Sequence, residues 1–429
     1  MIIIYSEHIT NRLQYIVTTL LGDDVRITNN SNAFNNFEGK KINYSTNNNL
    51  VADLWIKPVD LLFETHISSQ HIDCFLWKNL KVFYTTQGSV PFDVFAASFY
   101  LMSRYEEYSS AYKKDSYGNF HHENSLAWKE GFLQVPLIHL WLKEIEKEFG
   151  IVSRKNQFKT IPTYDVDISF AYQHHPWSVK WGGLLKDLLY KRGTFKERLQ
   201  VLLGSKNDPY QVFHWLNKMH RQHQFNPIYF LLVSTKRSKF DKNPSPKNKQ
   251  VKQFIQELAK DCAIGIHPSY QSNFTSEKLK KEIEILASIT NNSITKSRQH
   301  YLQLQFPLTY KKLIQQGIKE DYTLGYGTHN GFRASYCYPF YWYDLENDTA
   351  TKLLLHPFCF MDANFIFEQK LQPEEALIEM KKYYETVKSV DGDFIFIMHN
   401  HFLAEQEHWK DWRKIYSEFL TFISVGSSI

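Results

Sequence analysis

"TIPTYDVDISFAYQHH", residues 160–175, begins as an apolar run and then sets two carboxylates, Asp165 and Asp167, one residue apart. Side chains alternate faces along a strand, so both aspartates can face one pocket while Val166 packs behind them. Two like charges so close are costly unless a cation lies between them, one carboxyl keeps its proton, or both stand in water on a turn. At the end of an apolar strand, the pocket readings outweigh the turn.

Working outward, the chain after this stretch alternates short apolar runs with helical patterns. "NPIYFLLVS" (226–234), "CAIGIH" (262–267), "TKLLLHPFCF" (351–360) and "DFIFIMHN" (393–400) read as strands. "GGLLKDLLYKRGTFKERLQVLLG" (182–204), "QVFHWLNKMHRQH" (211–223), "QVKQFIQELAKD" (250–261), "TSEKLKKEIEILASIT" (275–290) and "PEEALIEMKKYYETVKSV" (373–390) read as helices. Strands spaced by helices make βα units on a parallel sheet or barrel, whose chemistry collects beyond the carboxyl ends of the strands. Asp165, Asp167, His267 and His399 all fall at such ends. Neutral imidazole is a common ligand for zinc-like metals, and a hydrolytic centre needs three ligands and an open water position. His399 also suits a general acid, although "HNH" could equally cap the next helix.

The first 150 or so residues start with a strand, "MIIIY", pass through an Asn-rich stretch and end in the helical "VPLIHLWLKEIEKEFG" (135–150). No cluster of metal-type ligands at useful spacing is expected there. Arg104, Glu106 and Glu107 in "DVFAASFYLMSRYEEY" (93–108) read as a solvated helix face. The polar "SRKNQFK" (153–159) marks a boundary, giving a smaller α/β domain over 1–157 and a second over 158–429. A chain of 429 residues has room for that division.

Net charge is +5, but Lys and Arg are spread along the chain with no basic block of nucleic-acid type. Four cysteines without a CxxC pair indicate neither a thiolate zinc site nor a disulfide scaffold. The amino terminus lacks a signal-peptide pattern and no apolar run is long enough for a membrane span, so a cytoplasmic location is expected.

The motifs resemble those of the polysaccharide deacetylases of the NodB-homology, carbohydrate esterase type. The two-part layout is similar to a Bacteroidetes-type branch with an uncharacterised N-terminal domain. "TYDVD" resembles the first motif, "GIHPSYQSN" the second, "GFRAS" the third and "FIFIMHN" the last. The resemblance implies a distorted (β/α)7-type barrel that removes acetyl groups from a sugar or polysaccharide precursor with the help of a divalent metal, most simply zinc. It implies Asp165 as base, Asp167 and His267 as metal ligands, Arg333 orienting Asp165, and His399 as acid.

One departure stands out: the second motif carries a further histidine four residues on, where this chain has Gln271. His300 in "SRQHYL" is the expected replacement, with His329, His174 and His175 as rivals and a buried, structural His300 as the plain alternative. Tyr336, Tyr338, Phe340 and Trp342 are expected to stack on the sugar, and Leu355, His356 and Pro357 to wall the acetyl pocket. Asp362 is either a partner of His399 or a helix cap. "QHH" (173–175) is expected at the surface. A non-catalytic glycan- or partner-binding protein that has lost a metal histidine is the competing expectation.

Overall fold

The computed structural model describes residues 1–108, 111–190 and 194–425. Near the amino terminus, β1 (Ile2–Tyr5), β2 (Val25–Thr28), β3 (Lys40–Tyr44) and β4 (Leu54–Ile56) form a parallel sheet in the order β2-β1-β3-β4. The Asn11–Leu21 helix crosses between the first two strands, and the Thr10 hydroxyl accepts the Leu13 N–H at its start. A hairpin of β5 (Phe75–Trp77) and β6 (Leu80–Val82) follows. The Val94–Met102 helix is buried along its whole length, consistent with a sequence that is apolar all round. Asp93 caps it by accepting the Phe95 and Ala96 N–H groups. The Leu137–Phe149 helix stops at Gly150, whose φ of 64° is the left-handed conformation that glycine adopts without strain.

The second sheet contains β7 (Lys159–Val166), β8 (Ile228–Leu231), β9 (Ala263–Ile266), β10 (Lys296–Ser297), β11 (Glu320–Asp321), β12 (Phe340–Asp344), β13 (Thr349–Leu355), β14 (Phe360–Met361) and β15 (Asp393–His399). Their order is β12-β13-β11-β10-β9-β8-β7-β15-β14. All ladders are parallel except β12 with β13. The protein is therefore mixed α/β around a large, mainly parallel sheet. Among the described residues no ladder joins β14 to β12 or β13, so the expected barrel is not closed by strand pairing.

Alternation along the strands splits the core in two. Tyr164, Val166, Tyr229, Leu231, Phe394 and Phe396 belong to the large apolar cluster beneath the helices. Ile228, Phe230, Ile395 and Ile397, on the opposite face, pack with Leu302, Tyr322, Phe358 and Met361 in a separate inner cluster. Thr163 and Asp165 alternate with Tyr164 and Val166, which places Asp165 at the top of that inner face.

Several elements differ from the sequence reading. The helix expected over 182–204 is two helices, Trp177–Leu189 and Phe195–Leu202, and Lys191–Gly193 between them lie outside the described residues. "TKLLLHPFCF" is split into β13 and β14 around Pro357, which has no N–H for a ladder. The two-residue strands β10 and β11 were not expected, because two residues carry no periodicity.

The two parts share a core. Tyr15 and Phe99 lie against Tyr343, with ring centroids 4.9 Å and 5.1 Å away. Arg104, Glu106 and Glu107 do not form a solvated face. Arg104 and Glu107 are 1% and 5% exposed, and Arg104 binds both Glu106 and Glu107 as well as the Tyr326 hydroxyl. The four aromatics expected to stack on sugar are also buried: Tyr336 stacks on His139 at 4.2 Å, Trp342 packs on Tyr310, and the Tyr338 hydroxyl donates to the Val390 carbonyl. Phe340 lies against Tyr336. Of the four, Tyr336 and Tyr338 meet the N-terminal part, at the His139 ring.

Candidate active site

A cavity of about 440 Å³ opens beyond the carboxyl ends of the parallel strands, lined by Asp165, Asp167, His267, His300 and His399 among others. His267 follows β9 directly, His399 ends β15, and His300 follows β10 in a short turn. Residue 399 is registered opposite residue 165 in the neighbouring strand. Strand register therefore puts a carboxylate and an imidazole side by side on the cavity floor.

Asp165 is 2% exposed and accepts a hydrogen bond from Arg298 Nη1 at 3.0 Å. Arg298 also donates to Thr163 Oγ1 and to the Tyr322 carbonyl, and its guanidinium lies 4.4 Å from the centre of the Phe230 ring. Arg333 occupies another position. It donates to both carboxylate oxygens of Glu107 and to the Gly325 carbonyl, so it does not orient Asp165. The cation expected from "GFRAS" is supplied instead by "SRQHYL". Two residues before His300 is the same face of an extended segment, and that spacing was the available signal.

Asp167, His267 and His300 bring one ligand atom each within 4.8 Å of one another. Asp167 Oδ1 lies 3.1 Å from His267 Nε2 and 3.7 Å from His300 Nε2. His267 Nδ1 is held by the Arg298 carbonyl at 2.6 Å, and His300 Nδ1 by Asp241 Oδ1 at 3.1 Å. An Nδ1–H that donates to these acceptors leaves each Nε2 with a lone pair turned toward Asp167. Asp167 Oδ1 is buried without a hydrogen-bond partner. Three electron-pair donors facing one another need a positive species between them, either protons on the rings or a cation. Two imidazoles and a carboxylate, each imidazole backed by an acceptor, fit a zinc-like ion. Asp241, within the Lys- and Asn-rich loop, carried no sequence signal for this role.

The cluster's own electrostatics follow the same geometry. Burial opposes a charge on His300, but Asp167 and Asp241 overcome it and raise its pKa to about 9. Burial likewise opposes ionisation of Asp167, yet His300, His267 and His399 hold its carboxyl well below the usual range. Burial works against a charged His399 too, and the Asp362 carboxylate, with Asp167 and Asp165, lifts it to about 10. Asp362 Oδ1 is 2.6 Å from His399 Nδ1, and Asp362 Oδ2 accepts the His399 backbone N–H at 2.6 Å. Nearby His401 is pushed down to about 4, by burial first and then by His399.

The other expectations fall elsewhere. Gln271 is exposed and accepts from Lys278, away from the cavity. His356 pairs with Glu320 at 3.1 Å and stacks on Tyr322, so neither it nor its neighbours wall the pocket; Leu302, Met361, Phe367 and Phe402 do. His329 lies beside His122 and Trp128. His175 is buried, not at the surface, between the Phe170 carbonyl and Arg237. The N-terminal part does hold one group of metal-type side chains, His121, His122 and Glu123. Glu123, however, already pairs with Lys113 and the His121 ring accepts the Glu123 N–H. That same part reaches the cavity through Tyr117, whose ring stacks on Tyr301 at 4.4 Å.

Residues 2–150 match a family of unknown function, DUF7033. A comparison with curated proteins finds no match. Among solved structures the chain is similar to Puue allantoinase at 10% identity and a TM-score of 0.40, over 62% of this chain and 84% of that one. It is similar to a probable polysaccharide deacetylase from Pseudomonas aeruginosa PAO1 at 11% identity and a TM-score of 0.38, over 61% of this chain and 84% of that one. For a polysaccharide deacetylase from Bacillus cereus the values are 10% and 0.28, over 60% and 88%. The chemistry open to the cavity rests on its own geometry.

Proposed function

We propose that the cavity hydrolyses an acyl group, an acetamide or acetyl ester, carried by a sugar, with a divalent metal such as zinc held by Asp167, His267 and His300. A cation at that position would polarise an acyl carbonyl and acidify water. Asp165, held in place by Arg298, takes the proton from the attacking water. His399, kept charged by Asp362, donates a proton to the leaving nitrogen or oxygen. Arg298 is thus a positioning residue on two counts, since its side chain holds Asp165 while its carbonyl fixes the His267 ring.

The observation that carries this reading is the convergence of a three-donor cluster with Asp165 and His399 on adjacent strands, at one cavity. The carbohydrate part comes from the motif resemblance of "TYDVD", "GIHPSYQSN" and "FIFIMHN", whose aspartates and histidines all line that cavity. The competing view, a binding protein short of a metal histidine, drew on Gln271. Against that view, His300 Nε2 lies 3.7 Å from Asp167 Oδ1, which supports His300 as the second histidine.

The test combines metal analysis with release of acetate from N-acetylglucosamine oligomers. The protein is expected to hold close to one metal per chain and to lose both metal and acetate release on His267→Ala. Full activity in metal-free protein would refute the reading.

A further inference from the structure

The Trp177–Leu189 helix turns a row of large apolar side chains to water. Trp177 is 75% exposed, Trp181 58%, Leu185 57% and Leu188 59%, and their spacing of four, four and three residues places them on one helical face. Leu189, at 66%, widens the row. Of the twenty exposed large apolar residues among those described, seven fall between Trp177 and Leu203, so this is a patch and not the scatter any surface shows. The flank of the helix beside Trp177 is anchored: Leu184 and Asp187 are buried, and Asp187 binds Arg198 at 2.6 Å. A Cβ on Gly183 would meet the Arg198 guanidinium at 2.5 Å, so the helix is seated closely on its neighbour.

Beside the apolar row runs a cleft of about 460 Å³ lined by Lys186, Arg198, Arg237 and Lys242. Arg198 is neutralised by Asp187. Among the described residues Lys180, Lys186, Arg237 and Lys242 form no ion pair with a carboxylate. Arg237 spends its guanidinium on His175 and on the Lys242 and Asn243 carbonyls. Lys242 also lines the catalytic cavity, so the cleft and the cavity adjoin.

An exposed Trp- and Leu-rich face flanked by unpaired lysines is the composition of a helix that lies in a lipid interface, its apolar side in the acyl boundary and its cations at anionic headgroups. A protein partner would match the apolar row equally well. It would not account for the uncompensated cations alongside, which an anionic surface satisfies. We propose that the Trp177–Leu189 helix and the basic cleft beside it dock this protein on an anionic lipid bilayer, with the mouth of the catalytic cavity next to the docked face. The proposal stands independently of the reaction assigned to the cavity.

Co-sedimentation of the full chain with phosphatidylglycerol–phosphatidylcholine vesicles, against pure phosphatidylcholine, tests it. Binding is expected to the anionic vesicles, with a blue shift of tryptophan fluorescence, and to weaken at least tenfold in 0.5 M salt. Trp177→Ser with Trp181→Ser should lose it, and Lys186→Glu should weaken it severalfold, while circular dichroism and acetate release from soluble oligomers stay unchanged. No binding to anionic vesicles, or binding that survives the double substitution, overturns the proposal. So does a wild-type dimer that the double substitution turns into a monomer without any vesicle binding, which would assign the face to a second copy.

Discussion

Arg298 and Arg333 are both fully buried, both hold a carboxylate and both lie over an aromatic ring, at 4.4 Å for Phe230 and 4.9 Å for Tyr326. Their surroundings differ. Asp165, the partner of Arg298, lines an open cavity beside an unpartnered carboxylate oxygen of Asp167. Glu107, the partner of Arg333, is enclosed by a second arginine, Arg104, and by contacts that tie the N-terminal part to the sheet. Burial opposes ionisation of Glu107, but Arg333 and Arg104 pull its pKa below the usual carboxylate value. A buried ion pair is therefore no sign of a catalytic site in itself. An adjoining cavity and unsatisfied polar atoms separate the pair proposed to act from the pair that holds the structure together.

The sharpest way to break this comparison is to remove one carboxylate from each pair. Asp165→Asn should lower kcat by about 10²–10⁴-fold, the usual worth of a positioned base, with melting temperature and metal content close to wild type. Acetate-release kinetics with metal analysis check it, and an active Asp165→Asn protein would remove Asp165 from the mechanism. Glu107→Ala should do the reverse. It leaves Arg333 buried without a carboxylate and should cost ~3–5 kcal/mol in urea unfolding, with per-molecule kcat of the folded fraction little changed. Glu107→Leu combined with Arg333→Met should be far milder, since it buries no unpaired charge.

A smaller effect reads the covered interface through pH. His139, stacked on Tyr336 and accepting the Cys337 N–H, has its pKa pushed down to about 3 by burial. Its folded pKa lies below the unfolded value near 6.5, so the unfolded chain binds more protons between those limits. Stability from this residue is complete above about pH 6.5 and falls as pH drops toward 3, by up to ~2 kcal/mol at pH 5. His139→Gln keeps the acceptor and cannot charge, and should flatten that part of the pH dependence of melting temperature. The smallest expected change is at Tyr117, the residue through which the N-terminal part reaches the cavity. Tyr117→Ala removes one stacked aromatic pair and should raise KM roughly two- to tenfold with kcat nearly unchanged. An unchanged KM would confine the N-terminal part to a structural role.

The layout of βα units and the polar groups at the ends of β7, β9 and β15 were legible because period-two and helical patterns are local properties of the chain. The same locality explains what was missed. "YCYPFYWYD" is dense in aromatics whether it faces a sugar or a protein layer, and only the packing of the N-terminal part decides between the two. "SRYEEY" has a surface composition, and its burial depends on Tyr326 and Arg333, more than two hundred residues further along the chain. Arg298 follows the two-residue strand β10, which is too short to show a period, so only its spacing of two from His300 hinted at it.

By itself, the sequence determined which strands end in Asp165, Asp167, His267 and His399, since strand alternation and apolar runs are written residue by residue. Tertiary structure alone decided which arginine meets Asp165 and that Asp241 and Asp362 orient the histidines. It also decided which aromatics are core, because these are pairings between segments that only the folded sheet brings within hydrogen-bonding distance.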